Sequence, residues 1–294
     1  MNNNIEFQGT GVALVTPFQF NHSIDYDALG KLVEYVIEGG VDFLVALGTT
    51  AETPTLSHQE KLDVLNYIID KNQQRKPIVV GIGGNNTKEV LDTIASYPMD
   101  KLDGILSVVP YYNKPSQEGI YQHFKEIATY TDKPIILYNV PGRTVTNMLA
   151  ATTLRLANDF NNIVAIKEAS GNMAQCMELV AGAPEHFNIL SGDDDLILPQ
   201  VAIGMKGVIS VAANSYPTTF TAMVNHALKG DFKAAQQLHY SLLPAIKLLF
   251  AEGNPTGVKY VLSKKGIIEN ALRLPLITAS DALQESFEPH IKAL

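Results

Sequence analysis

The amino-acid sequence predicts an α/β fold, a (β/α)8 TIM barrel followed by a C-terminal helical appendage. Three observations predict it: eight short runs rich in Val, Ile and Leu, longer amphipathic segments between them, and a tail of helical segments alone. Near-continuous apolar runs are typical of strands covered on both faces, and helical crossovers between them require parallel strands. The 294 residues suffice for one barrel of about 250 residues plus an appendage, although length alone equally allows two ordinary domains.

The predicted strands and helices follow one another in a regular order along the chain. Strands are predicted at 12–15, 43–47, 77–82, 104–109, 134–138, 163–166, 187–190 and 207–211. Helix starts support this division, because Ser57 and Glu60 form a capping box and Ser116 stands at a second N-cap position. Tail helices are predicted at 218–228, 232–250, 255–264 and 279–293. We therefore predict a barrel domain over residues 1–228 and a helical region over residues 229–294.

Composition and charge exclude several classes of function. A net charge of −8 without a basic cluster is unsuited to nucleic acid, whose phosphates require Lys and Arg on one face. No apolar run reaches the roughly 18 residues of a membrane span, and the first residues lack the basic and apolar stretches of a secretory signal. The protein is therefore expected in the cytoplasm. Cys176 has apolar helical neighbours and is predicted to be a buried, inert thiol.

The sequence also predicts that the protein uses no metal and no cofactor. Asp193 to Asp195 form an acidic run, but no cluster of His or Glu accompanies it, so we interpret these residues as loop and helix-capping carboxylates. The histidines lack the spacing of zinc ligands. The glycines after the third predicted strand lack the full dinucleotide-binding pattern, which argues against NAD.

Lys167 directly follows an apolar run, at the end of the sixth predicted strand. Active sites of (β/α)8 barrels lie where strands end and βα loops begin. A lysine that is buried there loses hydration, which disfavours the ammonium form and makes the amine a nucleophile near neutral pH. Two alternatives remain open at this point: the side chain extends to solvent at the barrel rim, or it pairs with Glu168.

Hydroxyl side chains follow three other predicted strands. Tyr112 comes after the fourth strand, Tyr138 ends the fifth, and Thr49 and Thr50 follow the second. Formation and dehydration of a carbinolamine require a positioned acid and base, and these groups can transfer the protons. The structural alternatives are packed rings for the tyrosines and loop capping for the threonines. Arg143, in a Pro-Gly turn, is suited to clamp a carboxylate, with an ordinary surface arginine as the alternative.

Three longer motifs occur at these strand ends. They read Tyr-Tyr-Asn-Lys-Pro-Ser-Gln-Glu-Gly at 111–119, Tyr-Asn-Val-Pro-Gly-Arg-Thr at 138–144 and Ile-Lys-Glu-Ala-Ser-Gly at 166–171. In them, and over residues 9–214 as a whole, the chain resembles the dihydrodipicolinate synthase family of the N-acetylneuraminate lyase superfamily. The resemblance implies a homotetrameric lyase that condenses pyruvate with L-aspartate-4-semialdehyde in the biosynthesis of diaminopimelate and lysine.

The resemblance also implies a role for each candidate residue. Lys167 would form a Schiff base with pyruvate, Tyr138 would donate and accept protons, and Thr49 and Tyr112 would complete a proton relay. The substrate contacts implied in the same way are Thr50, Arg143, Ile209 and Gly192. Among these, Arg143 would hold the carboxylate of the aldehyde substrate.

The chain departs from the family's usual pattern in two places. Ala51 and Thr53 replace a glycine and a serine in the loop after the second strand, and Gly142 replaces a frequent serine before Arg143. A β-carbon at position 51 fits only if that turn does not need a positive φ. Gly142 is expected to loosen Arg143 slightly. Neither change removes a reacting group.

Two other functions remain open on the sequence alone. Other pyruvate-dependent class I aldolases, such as N-acetylneuraminate lyase or a keto-deoxy-sugar aldolase, share the lysine and tyrosine chemistry and differ in the second substrate. A non-catalytic barrel that binds a keto acid as a regulator belongs to a different class. The reactive side chains at four separate strand ends weigh against that second alternative.

The resemblance implies in addition a regulatory site for L-lysine, the end product of the pathway. The residues assigned to it are Thr53, His58, Asn85, Glu89 and Tyr111. Glu89 would pair with the ammonium groups of the ligand and Asn85 would bind its carboxylate. Lys61 stands where lysine-sensitive relatives often carry histidine, and its positive charge predicts weak inhibition. The structural alternative is that Glu89 is a solvated helix residue.

Overall fold

The computed structural model describes residues 6–291, in which eight strands follow one another in chain order around a closed barrel. The strands are β1 (Gly9–Ala13), β2 (Phe43–Ala46), β3 (Ile78–Gly81), β4 (Gly104–Val108), β5 (Ile135–Asn139), β6 (Ile163–Glu168), β7 (Asn188–Ser191) and β8 (Gly207–Ser210). The pairing of β1 with β2, and each successive pairing from β3 to β8, is parallel. The predicted fold class is confirmed.

Helices connect most of the successive strands. They are α1 (Tyr26–Glu38), α2 (His58–Asn72), α3 (Thr87–Ser96), α4 (Gln117–Tyr130), α5 (Pro141–Thr144), α6 (Ala150–Asp159), α7 (Met173–Gly182) and α8 (Ile197–Ala202). The helices after β8 are α9 (Pro217–Leu228), α10 (Phe232–Phe250), α11 (Thr256–Lys264) and α12 (Asp281–Ile291). The predicted helical tail is therefore confirmed. The prediction continued its last helix to Ala293, which lies outside the described residues.

Side-chain caps begin two helices where the sequence predicts them. Ser57 Oγ accepts a hydrogen bond from the Glu60 amide at 3.2 Å, and Glu60 Oε2 accepts one from the Ser57 amide at 2.8 Å, which completes the capping box of α2. Ser116 Oγ accepts from the Gly119 amide at 3.2 Å at the start of α4. A cap of this kind stabilises a helix by about 1 kcal/mol.

The chain forms two compact units, each of which has many contacts within itself. Within the described part, the first unit comprises residues 6–8 and 77–209, which include β3 to β7, most of β8 and helices α3 to α8. Strand β5 is buried at every one of its residues, from Ile135 to Asn139. This burial on both faces agrees with the continuous apolar run from which the strand was predicted.

The second unit is built from two distant parts of the chain, residues 9–76 and 210–291. It contains β1, β2, α1 and α2 from the first part and α9 to α12 from the second. Helix α9 contacts β1 and α1, and α10 packs against α9, α11 and α12. The domain boundary at residue 228 stays a prediction.

The thiol of Cys176 is fully buried in α7, as the sequence predicts. Burial raises the pKa of this thiol to about 11, and the nearby carboxylates of Glu168 and Asp193 add to the rise. The predicted burial is confirmed, and a thiol held in its protonated form is a poor nucleophile. Among residues 6–291, no helix is both long enough and apolar enough to cross a membrane.

Candidate active site

Strand β6 buries Lys167 and Glu168 side by side, on opposite faces of the strand. Lys167 is 6% exposed and Glu168 is fully buried. The Glu168 carboxylate accepts hydrogen bonds from Asn139 Nδ2 at 3.0 Å, from Gln175 Nε2 at 3.0 Å and from the Ser170 amide at 2.9 Å. These donors satisfy Glu168 without Lys167. Both structural alternatives for Lys167, a solvated position at the rim and a pair with Glu168, are therefore wrong.

Tyr138 lies directly beside Lys167 on the neighbouring strand. The two residues are register partners in the parallel pairing of β5 with β6. The Lys167 Nζ atom is 4.5 Å from the centroid of the Tyr138 ring, and Tyr138 is 7% exposed. Within residues 6–291, neither the amine nor the phenol hydroxyl forms a hydrogen bond or an ion pair. Both groups are thus free to react with a substrate.

Gly192 follows β7 and leaves room for the Lys167 side chain. A β-carbon at this position would stand 3.0 Å from Lys167 Cε and 2.4 Å from the β-carbon of Ala169. The Gly192 amide donates to the Glu168 carbonyl at 2.7 Å, which fixes its backbone against β6. The contact assigns Gly192 a steric role beside the lysine, whereas the sequence treated it as a substrate contact by resemblance alone.

Gly192→Ala is expected to displace the Lys167 amine and to lower activity by a factor on the order of 10², because a shift of about 1 Å in a reacting group can cost that much. Gly84→Ala is the matched control, since a β-carbon there makes only ordinary contacts, at 3.4 Å or more. Steady-state kinetics on both purified variants provide the measurement. Equal rates for the two variants would show that the Gly192 contact does not position the lysine.

Asp193 is a titratable group near Lys167, and from the sequence we interpreted it only as a loop or helix-capping carboxylate. Burial raises the pKa of this carboxyl to about 6. The hydrogen bond from the Gly171 amide and the charge of Lys167 lower the pKa, whereas the carboxylates of Asp195 and Glu168 raise it further. Its Oδ2 accepts from the Gly171 amide at 3.1 Å. One feature of the sequence could have identified Asp193 as a residue near the site: it directly follows Gly192, at the end of a predicted strand.

The other candidate residues of the first unit differ in their exposure. Tyr112 is 87% exposed, and its φ of 74° places it in the left-handed region. Arg143 is exposed in α5, and its guanidinium has no hydrogen bond or ion pair within the described chain. Ile209 is fully buried near the end of β8. Among the candidate residues, Tyr138 and Gly192 are the two that lie directly against Lys167 in the described contacts.

Thr49 and Thr50 lie in the second unit, in a 3₁₀ turn that spans Thr49–Ala51. Thr49 is exposed, whereas Thr50 is buried and its hydroxyl accepts a hydrogen bond from Asn254 Nδ2 at 2.9 Å. Ala51 is not among the residues with positive φ; that conformation falls on Glu52, at 55°. The alanine that departs from the family pattern therefore fits the turn without strain.

The residues assigned to a lysine site are divided between the two units. Thr53 and His58 belong to the second unit, where Thr53 Oγ1 donates to the Gly48 carbonyl at 2.8 Å. In the first unit, Glu89 is exposed in the first turn of α3 and accepts from Asn86 Nδ2 at 3.0 Å. This exposure agrees with the alternative of a solvated helix residue.

The remaining two residues of that set lie near each other in the first unit. The Asn85 carbonyl accepts from Asn113 Nδ2 at 2.9 Å, and Tyr111 is 42% exposed. Asn113 N donates to the Tyr111 carbonyl at 2.9 Å, so one asparagine links both segments. This link places the loops that follow β3 and β4 side by side.

Comparison with known proteins identifies relatives over nearly the whole chain. A family model described as "Dihydrodipicolinate synthetase family" matches residues 6–294. A curated protein from Parabacteroides distasonis, named 4-hydroxy-tetrahydrodipicolinate synthase, is 49% identical over 99% of this chain and 98% of its own length. The motifs at the strand ends thus lie in a match that extends far beyond them.

Solved structures agree in fold. The dihydrodipicolinate synthase from Aquifex aeolicus is 42% identical over 96% of both chains, with a TM-score of 0.93. The chloride-inhibited dihydrodipicolinate synthase from Acinetobacter baumannii, solved in complex with pyruvate, is 38% identical over 97% of this chain and 98% of its own, with a TM-score of 0.94. The DHDPS from Cyanidioschyzon merolae, solved with lysine bound, is 35% identical over 98% of both chains, with a TM-score of 0.93.

Proposed function

The chain belongs to the dihydrodipicolinate synthetase family, and on that basis we propose that it is a lyase that condenses pyruvate with L-aspartate-4-semialdehyde to 4-hydroxy-tetrahydrodipicolinate. This places it in the biosynthesis of diaminopimelate and lysine. The observation that carries the proposal is the buried Lys167 amine, which lies over the Tyr138 ring at 4.5 Å and forms no ion pair among residues 6–291. The A. baumannii relative was solved with pyruvate, which supports the choice of this keto acid.

The chemistry begins at the Lys167 amine. The neutral amine adds to carbon 2 of pyruvate to form a carbinolamine, which loses its hydroxyl as water and leaves a Schiff base. Loss of a proton from carbon 3 then gives an enamine. Tyr138 donates and accepts the protons of these steps, because its hydroxyl is on the residue adjacent to the lysine. Thr49 and Tyr112 extend the relay, and Thr50 and Ile209 contact pyruvate.

The enamine is the nucleophile for the second substrate. Its carbon 3 bonds to the aldehyde carbon, and the aldehyde oxygen takes up a proton and becomes the hydroxyl of the product. The amino group of the same substrate then attacks carbon 2 and displaces the Lys167 nitrogen, which closes the ring and frees the enzyme. Each step uses groups that the two substrates and the chain themselves supply.

A coupled assay distinguishes this function from those of related aldolases. Purified protein is incubated with pyruvate and aspartate semialdehyde, and formation of the cyclic product is followed through a dihydrodipicolinate reductase, with sialic acid cleavage as the parallel reaction. Turnover of the first pair alone supports the proposal. Cleavage of sialic acid without condensation would assign the chain to N-acetylneuraminate lyase activity instead, and a pyruvate adduct without any turnover would indicate a keto-acid-binding regulator.

Arg143→Ala is expected to lower kcat/KM for the aldehyde substrate by roughly 10–150-fold, since a hydrogen bond to a charged group contributes about 1.5–3 kcal/mol. The Arg143 guanidinium is exposed in α5 and has no protein partner within the described chain, so it is available to a carboxylate. Initial rates at varied aldehyde concentration measure the effect. Arg155→Ala serves as control, because Arg155 is engaged on the surface with Glu118 at 2.7 Å. Equal effects of the two substitutions would contradict the assignment.

We propose further that L-lysine inhibits the enzyme weakly, at the set of Thr53, His58, Asn85, Glu89 and Tyr111. The C. merolae relative was solved with lysine bound, which supports a site in this family. Activity titrated with L-lysine is expected to fall at millimolar concentration, and Glu89→Ala is expected to reduce the inhibition at least fivefold. Glu126→Ala on α4 is the matched control for an exposed glutamate. Full activity at millimolar lysine, or unchanged inhibition of the Glu89 variant, would reject the site.

The proposal includes a cytoplasmic location, which the sequence predicts, and a homotetramer built as a dimer of dimers, which the family resemblance implies. Sedimentation or light scattering at micromolar protein measures the assembly directly. A stable, active monomer would remove the tetramer from the proposal and leave the Schiff-base chemistry unaffected.

A further inference from the structure

A second buried lysine lies in the unit that carries the Thr49–Ala51 turn. Lys259 of α11 forms an ion pair with Glu52, and both side chains are fully buried. The Lys259 Nζ atom also donates to the Ala271 carbonyl at 3.0 Å and lies 4.1 Å from the centroid of the Phe18 ring. Neither charged group reaches solvent, so each depends on the other for its charge compensation.

The same segment of the tail binds the loop at further points. The Arg273 amide donates to Glu52 Oε2 at 3.0 Å, and the Arg273 guanidinium donates to the two oxygens of Glu60 at 2.9 Å and 2.6 Å. It also donates to the Thr55 carbonyl at 2.9 Å. Hydrogen bonds from Arg273 hold the pKa of Glu60 down at about 2, so this pair persists throughout the neutral range.

Glu52 immediately follows the turn that presents the two threonines. Its amide donates to the Thr49 carbonyl at 3.2 Å, and its φ of 55° is a left-handed conformation that residues with a β-carbon rarely adopt. On the other side of the turn, Asn254 Nδ2 donates to Thr50 Oγ1 at 2.9 Å. A strained backbone of this kind persists only where surrounding contacts hold it, and here those contacts come from residues 254–273.

We infer that the Glu52–Lys259 ion pair is a positioning device, which holds the Thr49–Thr50 turn in the orientation that pyruvate binding and proton transfer require. This inference rests on the proposed function, which assigns Thr50 to pyruvate and Thr49 to the relay. Glu52 and Lys259 act through the turn and do not touch substrate. They are therefore positioning residues rather than catalytic ones.

The charge state of the pair supports this role. Burial lowers the pKa of Lys259 to about 8, and the Glu52 carboxylate opposes the shift while Arg273 adds to it. At pH 7 the amine is therefore still largely protonated and the ion pair is formed. An apolar pair of similar volume would often stabilise a fold equally well, so a buried ion pair next to a functional turn fits orientation better than stability.

The test compares Lys259→Met with the double variant Glu52→Gln, Lys259→Met, in the full-length protein at pH 7. Lys264→Met is the matched control, since Lys264 lies on the same helix in an exposed pair with Glu288 at 3.8 Å. For each variant, KM for pyruvate, KM for aspartate semialdehyde and kcat are measured well below its thermal midpoint. We expect the pyruvate KM of both Lys259 variants to rise at least fivefold and kcat to fall, while the aldehyde KM changes less than twofold.

A role in stability alone gives a different pattern. Loss of folded protein lowers the active fraction and hence kcat, but leaves both KM values unchanged. That outcome in the double variant, which removes both charges and is expected to fold, would overturn the inference even if the single variant does not fold. Absence of turnover and of a trapped pyruvate adduct in the unmodified protein would instead refute the proposed function, and the inference with it.

Discussion

Lys167→Ala is expected to abolish the borohydride-trapped pyruvate adduct and to lower kcat by a factor on the order of 10⁴ or more, as removal of a covalent nucleophile does in other enzymes. The reason is that the Lys167 amine is buried beside Tyr138 and is unpaired within the described chain. Intact-protein mass spectrometry after incubation with pyruvate and borohydride detects the adduct. Peptide mapping then locates it.

Because Lys259 is a second buried lysine, the experiment also distinguishes between two possible sites of the adduct. Burial lowers the pKa of Lys259 to about 8, so its amine is a second candidate nucleophile by charge state alone. It is nevertheless occupied by Glu52 and by the Ala271 carbonyl, and we expect no adduct on it. Lys206→Ala, at an exposed lysine, is the control that retains the adduct. An adduct on Lys259, or on any lysine of the Lys167→Ala variant, would assign the Schiff base elsewhere.

Tyr138→Phe is expected to lower kcat by a factor on the order of 10² to 10³, within the range that general acid–base catalysis contributes. The substitution keeps the ring that lies against the Lys167 amine and removes the hydroxyl alone. Proton transfers during carbinolamine dehydration and enamine formation then lose their donor and acceptor. Rapid-quench trapping of the adduct separates slow Schiff-base formation from slow condensation.

Tyr121→Phe is a matched control for Tyr138→Phe. Tyr121 is also buried, at 7% exposure, and its hydroxyl donates to Asp159 at 2.7 Å. Its loss is expected to reduce the free energy of unfolding by about 0.5–1.5 kcal/mol and to leave kcat of the folded enzyme near its original value. A Tyr138 variant with the kinetics of the Tyr121 variant would show that the phenol beside Lys167 transfers no proton.

The order of the strands could be predicted from sequence because strands covered on both faces are apolar without interruption. The predicted ends of the strands were less accurate where polar or small residues continue a strand. β1 begins at Gly9 rather than at residue 12, and a β-carbon on Gly11 would stand 2.3 Å from the Phe43 ring, so packing there selects glycine over an apolar side chain. β6 continues beyond its apolar run through Lys167 and Glu168.

The neighbouring positions of Lys167 and Tyr138 follow from local pattern, because both residues end adjacent parallel strands. The contacts that hold the Thr49–Ala51 turn do not follow from local pattern. Thr50 and Asn254 are separated by 204 positions in the chain, and Glu52 and Lys259 by a similar distance. No periodicity or spacing in the sequence relates such residues. Lys259 itself is one polar residue in an amphipathic helix, where a solvated lysine is the ordinary expectation.

The second unit has a consequence for how the protein is made. Its two parts are separated by residues 77–209, which take about 7–27 s to synthesise at about 5–20 residues per second. During that interval β1, β2 and the loop after them lack the helices α9 to α12 that complete their unit. Folding that proceeds from the N-terminus on the ribosome therefore cannot finish this unit. The first 76 residues must await the last third of the chain, and such late, long-range closure is slow and exposes apolar strands to aggregation.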